Sequence, residues 1–588
     1  MIETVLVANR GEIALRIVRA CRDLGLRTIA VYSDADIDSP HVAAADFAVN
    51  IGPAPAAQSY LDGDAIIRAA IAHGATAVHP GYGFLSEQAA FAESVKAAGL
   101  IFVGPSPAAM RELGDKRSAR QAAERAGLPV VLGAAISDSS SPPDLVDALG
   151  LPLLIKAAFG GGGRGMRVVR DLAELAGAIE AARRESGSAF GRDDVFAERF
   201  VEYARHVEVQ VVADGHGNVV HLGTRDCTVQ RRHQKLIEEA PAINLPDRVL
   251  AGMLDGAVRL ARDVGYVGVG TVEFLFDRNT DEFYFLEVNT RLQVEHTVTE
   301  MVTGIDIVAL QLRIAAGEPL LFGQDDVRVD GHAIQVRINA EDASDDFRPA
   351  AGRVSQAVWP MGPWVRCDTS ISSGAVVPPN YDSLLAKVMA VGPNREIACR
   401  RLGRALRETT VVGLATTGPF LGRVLEHPTF ATLEHWTTFI DSGAVDTVDV
   451  SPATGQDAPP PFDDAGPALA KTVALHIATT TGAFEVVVPT IADELVAAST
   501  AGHVSTTRTS TFSETSGAGC VAPMDCTLIS HAVAPGDEVA RGDTVAIVES
   551  MKMETHVASD RDGVVKAVHH TPGDSLRRGD VLVEVDDV

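Results

Sequence analysis

The chain has 588 residues, of which 51 are Lys or Arg and 78 are Asp or Glu, a formal net charge of −27. At roughly 150 residues per domain this length predicts about four units, each large enough to bury a core. A charge this negative repels phosphate backbones and anionic headgroups, which argues against a nucleic-acid or membrane-surface binder and leaves any phosphate chemistry to local basic groups.

The opening Met1-Ile2-Glu3-Thr4-Val5-Leu6-Val7-Ala8 carries no basic leader and reads as a strand. No apolar run reaches the roughly 18 residues that suggest a membrane span, so a cytoplasmic location is expected. Cys21, Cys227, Cys367, Cys399, Cys520 and Cys526 are widely spaced without a C-x-x-C pair, which predicts neither a zinc site nor a disulfide framework.

After the first strand, Ile13, Ile17, Val18, Cys21 and Leu24 recur at helical spacing before the strand-like Thr28-Ile29-Ala30-Val31-Tyr32. This βαβ pattern predicts a doubly wound α/β domain over residues 1–115. Longer α+β segments follow over 116–330, with a glycine cluster at 160–165, and a further mixed segment over 331–445. Residues 446–519 read as a linker: Pro459-Pro460-Pro461 lies in an Asp/Gly/Ala-rich stretch, and 497–519 is rich in Ser, Thr, Ala and Gly. Between these, alternation on either side of Thr481-Gly482 predicts a β-hairpin near 472–489.

The last segment, 520–588, contains a repeat. Pro535-Gly536-Asp537 followed by Gly542-Asp543 recurs 37 residues later as Pro572-Gly573-Asp574 followed by Gly579-Asp580. Two copies of turn, strand, turn, strand predict a small all-β domain with approximate two-fold symmetry. Glu549-Ser550-Met551-Lys552-Met553-Glu554 falls between the copies, at one tip.

Four motifs carry candidate chemistry. Lys156-Ala157-Ala158-Phe159 leads into Gly160-Gly161-Gly162-Gly163-Arg164-Gly165-Met166, where bare backbone N–H groups can approach phosphate oxygens, although a glycine run also suits a plain flexible loop. It is not a Walker A sequence. Glu273 precedes Glu287, Asn289, Arg291, Gln293 and Glu295, whose alternation would place five polar side chains on one strand face, suited either to Mg²⁺ and nucleotide phosphates or to solvated ion pairs. The run from Arg225 through Gln230, Arg231, Arg232, His233 and Lys235 reads as a basic surface loop or a local anion site. Lys552, between two methionines at an exposed turn, is either an ordinary surface lysine or a point of recognition or modification.

Together these strings resemble the biotin carboxylase and biotin-carboxyl-carrier proteins of the acyl-CoA carboxylase family. The resemblance rests on Ala8-Asn9-Arg10-Gly11-Glu12-Ile13-Ala14, His79-Pro80-Gly81-Tyr82-Gly83-Phe84-Leu85-Ser86-Glu87, the glycine loop, Gln230 to Lys235, Glu287 to His296, and Met551-Lys552-Met553, all in family order. It implies a Rossmann-like N-terminal domain, an ATP-grasp domain with a glycine-rich lid, a carboxylase C-terminal domain, and a lipoyl-like biotinyl domain on a flexible linker.

The resemblance also implies roles. ATP would be held by Lys116, Lys156, Gly160, Gly161, Gly162, Gly163, Arg164, Gly165, Met166, Glu198, His206, Gln230, His233 and Leu275. Glu273, Glu287 and Asn289 would hold Mg²⁺ or Mn²⁺, and Lys235, Arg291, Gln293 and Val294 would surround bicarbonate. Glu295 would act as general base and Arg337 would stabilise the biotin enolate, with Lys235 and Arg291 also serving catalysis. Biotin would be attached to Lys552.

The expected function is therefore ATP- and bicarbonate-dependent carboxylation of biotin by an alpha subunit. After residue 445 only 143 residues follow, too few for a carboxyltransferase, so a separate beta subunit is the expected partner and the hairpin a candidate dock for it. A biotin protein ligase and a second copy of the chain are further expected partners. A tether of about 23 residues has an r.m.s. reach of roughly 25–30 Å and a limit near 75 Å, enough for Lys552 to shuttle between sites. The alternatives are a biotin carboxylase subunit of a two-chain pyruvate carboxylase, a lipoyl-type carrier fused to another ATP-grasp ligase, or a non-catalytic carrier.

Overall fold

The computed structural model describes residues 2–136, 141–157, 167–190, 195–445, 471–479, 482–490, 519–551 and 553–586. Strands β1 (Thr4–Val7), β2 (Arg27–Ser33), β3 (Phe47–Gly52), β4 (Ala77–His79) and β5 (Ile101–Phe102) form a parallel sheet in the order β3-β2-β1-β4-β5. Every residue of β1 is buried, as a central parallel strand covered on both faces requires. Helix α1 (Gly11–Asp23) buries the expected Ile13, Ile17, Val18 and Cys21. Ile13, Ile17 and Val18 share one core with Val269, Leu292, Ile307 and Leu312, which fixes the first domain against the next.

Strands β6 (Gly133–Ile136), β7 (Leu153–Ala157), β8 (Arg167–Val169) and β9 (Val195–Arg199) make a small antiparallel sheet in the order β6-β9-β7-β8. Residues 158–166, the glycine loop, lie outside the described residues.

The sheet that carries the site is larger. β10 (Ala204–Ala213), β11 (Val219–Arg231), β12 (Gln234–Ala240), β13 (Gly268–Asp277), β14 (Glu282–Asn289) and β15 (His332–Asn339) join strands Val365–Thr369 and Leu384–Gly392. Their order is β14-β13-β10-β11-β12-β15, then Leu384–Gly392, then Val365–Thr369, antiparallel throughout. The β12–β15 ladder, with Glu238 opposite Gln335 and Ile237 opposite Val336, makes the sheet continuous across position 330.

Two sequence expectations need correction here. Arg225 does not lie on a surface loop: it is within β11 and fully buried, because Glu208 on the adjacent strand neutralises it. The strand reading of residues 287–295 holds only to Asn289, where β14 ends. Arg291, Gln293 and Glu295 are on the loop that leads into helix His296–Thr303, and they converge through hydrogen bonds rather than through strand alternation.

Residues 520–586 form two four-stranded sheets packed over Leu528, Val545, Val548, Leu582, Val583 and Val585. The 37-residue repeat has a structural counterpart in its turns. Asp537 and Asp574 accept from the backbone N–H of Ala534 and Thr571, each at 2.8 Å, while Asp543 and Asp580 accept from Ala540 and Arg577 at 2.8 and 2.7 Å. The preceding glycines, 536, 573, 542 and 579, all lie at φ between 94° and 98°, a backbone region closed to most L-residues. The tip reading also needs correction: Met551, expected to be exposed, is 4% exposed. Lys552 lies outside the described residues.

As a separate unit, Lys471–Thr479 and Gly482–Thr490 pair antiparallel, with Thr479 opposite Gly482. No helix among the described residues is long and apolar enough to cross a membrane.

Candidate active site

Strand pairing assembles the site. Directly opposed residues point to the same sheet face, so Glu287 opposite Glu273, Glu273 opposite Glu208, and Glu208 opposite Arg225 form a polar row across β14, β13, β10 and β11. On the same face Arg337 on β15 opposes Lys387, which opposes Asp368. The row runs between the motifs identified in the sequence and joins them.

Lys235 is its centre. Its Nζ donates to Glu208 Oε2 at 2.7 Å, Glu273 Oε1 at 2.8 Å and Glu295 Oε1 at 2.7 Å. Burial would lower the pKa of this ammonium, but Glu208, Glu273 and Glu295 outweigh burial and hold it well above the usual lysine range. Arg337 approaches Glu295 from the other side, with Nη2 at 3.0 Å from Oε2, and its Nε donates to Glu238. Burial alone would raise the Glu295 carboxyl; Lys235, Arg337 and Arg225 reverse this and hold it well below the ordinary carboxylate range. Glu295 is thus a buried, ionised carboxylate between two fixed cations, able to accept a proton that a substrate brings close.

Around it, Glu273 Oε1 also accepts from Asn289 Nδ2 at 2.7 Å and Gln293 Nε2 at 2.9 Å, while Oε2 meets His206 Nε2 at 2.6 Å. Burial disfavours the charged His206 ring, but Glu273 raises its pKa overall. Arg291 donates to Asn289 Oδ1 and Gln293 Oε1, both at 3.0 Å, and pairs with Glu87 at 2.9 Å. Gln230 opposes Lys235 across the β11–β12 turn, and Arg232 and His233 both take positive φ within that turn. Leu275 opposes His206. Lys156 pairs with Glu198, which Arg120 also approaches.

A divalent cation fits the outer edge of this row. Lys235 already occupies the space among Glu208, Glu273 and Glu295, so a metal there would have to displace an ammonium. At the edge, Glu287 is raised by desolvation and by the neighbouring Glu273, and Lys116 counters that rise. Two carboxylates that repel one another, beside the amide oxygen of Asn289, form an oxygen donor set suited to Mg²⁺ or Mn²⁺.

Several site residues were not singled out from sequence. Glu208, two positions after His206 and therefore on the same strand face, was legible in principle. Glu87 ends the His79–Glu87 string that carries the resemblance, which implies no role for it, and Glu238 and Lys387 had no local signal. Lys387 is fully buried, pairs with Glu12 at 3.0 Å and donates to the carbonyl oxygen of Val294 at 3.1 Å. Cys227 lies 4.0 Å from Glu295 Oε1, and burial together with Glu208 pushes its pKa well up, which keeps it a thiol.

The chain matches four protein families in order. These are the biotin carboxylase N-terminal domain over residues 1–110, the carbamoyl-phosphate synthase L chain ATP-binding domain over 115–322, the biotin carboxylase C-terminal domain over 335–442, and the biotin-requiring enzyme domain over 520–585. It is 43% identical to the biotin-dependent acyl-coenzyme A carboxylase alpha3 subunit of Mycobacterium leprae, covering 99% of this chain and 98% of that protein. Among solved structures, it is similar to the biotin carboxylase domain of Hydrogenobacter thermophilus 2-oxoglutarate carboxylase, crystallised with MgADP and bicarbonate. That similarity has a TM-score of 0.73 and 40% identity, covering 77% of this chain and 99% of that one. It is also similar to a biotin carboxylase subunit of pyruvate carboxylase, with a TM-score of 0.67 and 41% identity, covering 77% of this chain and 100% of that one.

Proposed function

The chain belongs to the biotin-dependent carboxylases that carry a biotin carboxylase and a biotinyl domain on one polypeptide, and from this we propose that it is the alpha subunit of an acyl-CoA carboxylase. It carboxylates biotin held on its own Lys552, using ATP, bicarbonate and Mg²⁺ or Mn²⁺, and a separate carboxyltransferase beta subunit passes the carboxyl group to an acyl-CoA. The observation that carries this reading is the match to an acyl-CoA carboxylase alpha subunit through linker and carrier alike, at 99% of this chain.

The site residues support the first half-reaction. Lys116, Lys156, Glu198, His206, Gln230, His233 and Leu275, with residues 160–166, bind ATP. When bound at Glu273, Glu287 and Asn289, the divalent metal supplies charge neutralisation between nucleotide phosphates. Bicarbonate is a weak nucleophile, held by Lys235, Arg291, Gln293 and Val294, and Glu295 takes its proton as it attacks the terminal phosphate. Biotin, attached at Lys552, supplies the nitrogen that receives the carboxyl group. Arg337 keeps its charge throughout and would hold the ureido oxygen of bound biotin.

Avidin capture from native extract tests the reading. It expects a co-purifying carboxyltransferase chain and carboxylation of acetyl-, propionyl- or longer acyl-CoA. Carboxylation of pyruvate alone would instead support the second reading, a two-chain pyruvate carboxylase, favoured by the similarity to that enzyme's biotin carboxylase subunit. The hairpin 471–490 is proposed as a beta-subunit contact; unchanged co-purification after its deletion would contradict that.

A further inference from the structure

Met551 stands at the turn between strands Thr544–Ser550 and Met553–Ala558, with a φ of 51°. A positive φ on a non-glycine residue is uncommon, but the tight turn between Ser550 and its partner Met553 calls for one at this position. The side chain is not part of the carrier's own core, which contains Met524, Leu528 and Val548. Met551 is instead buried with Ala340, Val354, Val377 and Leu385, all residues of the carboxylase body. Its backbone N–H donates to the carbonyl of Pro379 at 2.8 Å. Pro379 follows Pro378, and two consecutive fixed φ angles hold that carbonyl in place.

The position of this seat matters. Ala340 follows the end of β15 and its N–H donates to the Ser383 carbonyl at 2.8 Å, while the neighbouring Leu384 opposes Asn339. Arg337 is three residues back along the same line of chain, roughly 10 Å at strand spacing. The Met551 seat therefore lies beside the end of the strand that carries Arg337.

Resting on the reading of Lys552 as the biotin attachment point, we propose that this apolar pocket and the Pro379 carbonyl form a docking seat for the carrier tip. Met551 is the positioning residue that sets tethered biotin before Arg337 and Glu295. The two methionines beside the lysine then have different duties, with Met551 inserted in the carboxylase and Met553 half-buried at the tip. An unbranched, polarisable side chain fills an irregular pocket well. The Met551 side chain and the hydrogen bond to Pro379 are contacts that a carrier can release when it departs.

The test uses the full-length biotinylated protein, with biotin occupancy equalised by mass. The readout is the ratio of two rates: label passing from bicarbonate to tethered biotin in a single turnover, and ATP-dependent carboxylation of free biotin. Met551→Ala is expected to lower that ratio about tenfold through loss of effective concentration at the site, and Met551→Leu to restore most of it. Val377→Asp, which places a charge beneath the anchor, is expected to lower the ratio as well. A ratio in Met551→Ala equal to wild type overturns the seat while leaving the functional reading intact. A wild-type protein that carboxylates neither tethered nor free biotin overturns both.

Discussion

The ammonium of Lys387, with no solvent exposure, donates to the backbone carbonyl of Val294 at 3.1 Å, one residue before Glu295. The same ammonium lies 3.0 Å from Glu12 on α1. One buried cation thus ties the first domain, the large sheet and the loop bearing the proposed general base.

Replacing that cation removes the charge that compensates Glu12 and Asp368. Lys387→Met is expected to destabilise the carboxylase body by about 3–5 kcal/mol, the usual cost of leaving buried carboxylates unpaired. Chemical denaturation of the full chain measures this; a midpoint unchanged from wild type would show that the pair adds nothing to stability.

Glu295→Gln keeps the shape of the side chain and removes its basicity. Biotin-dependent ATP cleavage is expected to fall by about 10²–10⁴. A steady-state assay in saturating bicarbonate measures this, and a variant with wild-type kcat would rule out Glu295 as the base.

Because Lys235, Arg337 and Arg225 hold Glu295 below the ordinary range against the effect of burial, its protonation should limit activity only at strongly acidic pH. Lys235→Ala removes the foremost of these cations. Burial then raises the Glu295 pKa, and the acid limb of the kcat/KM profile should move toward neutrality. An acid limb in the same place in both proteins would contradict the electrostatic account.

Burial would raise the Asp368 carboxyl, yet Lys387 and Arg366 overcome it and hold the group at about 2. Its folded pKa is below the unfolded value of about 3.9, so its stabilisation is fully present above that value and is lost as pH falls through about 2. This contribution is expected to be about 2 kcal/mol at neutral pH, and Asp368→Asn should flatten the acid side of the stability profile. An equally steep loss in the variant would assign the acid sensitivity to other groups.

In the carrier, the paired turns predict losses in both copies, the larger at Asp574, which also accepts from the Thr571 hydroxyl at 3.0 Å. Asp537→Ala and Asp574→Ala each remove a 2.8 Å hydrogen bond to backbone and should each cost about 0.5–1.5 kcal/mol. Hydrogen exchange across residues 520–586 of the intact chain measures both; a loss confined to one copy would contradict the symmetry.

Local features of the fold and site were legible in sequence. The βαβ start follows from Ile13, Ile17 and Val18 at helical spacing, and the carrier's turns from a repeat that places an Asp after Gly at each one. Glu273, Glu287 and Asn289 are grouped through the family resemblance, and two adjacent strands do carry them. What escaped depends on partners far away along the chain. Arg225 reads as a surface charge until Glu208 lies against it, and Lys387 until Glu12 and Val294 do. The alternation from Glu287 to Glu295 imitated a strand beyond Asn289, where the chain leaves the sheet and hydrogen bonds among side chains replace the pleat. Met551 reads as exposed at a hairpin tip until Val377 and Leu385 of the carboxylase lie against it.

The central claim, that the site around Glu295 carboxylates biotin on Lys552, is tested most directly by labelled bicarbonate. The full-length biotinylated protein is given ATP, Mg²⁺ and label, then captured on avidin under conditions that preserve the carboxyl group. The account predicts ATP-dependent label on the wild-type chain, label that accumulates about 10²–10⁴ times more slowly on Glu295→Gln, and none on Lys552→Arg. Label on Lys552→Arg, or wild-type protein that cleaves ATP with bicarbonate yet never acquires label, would contradict it.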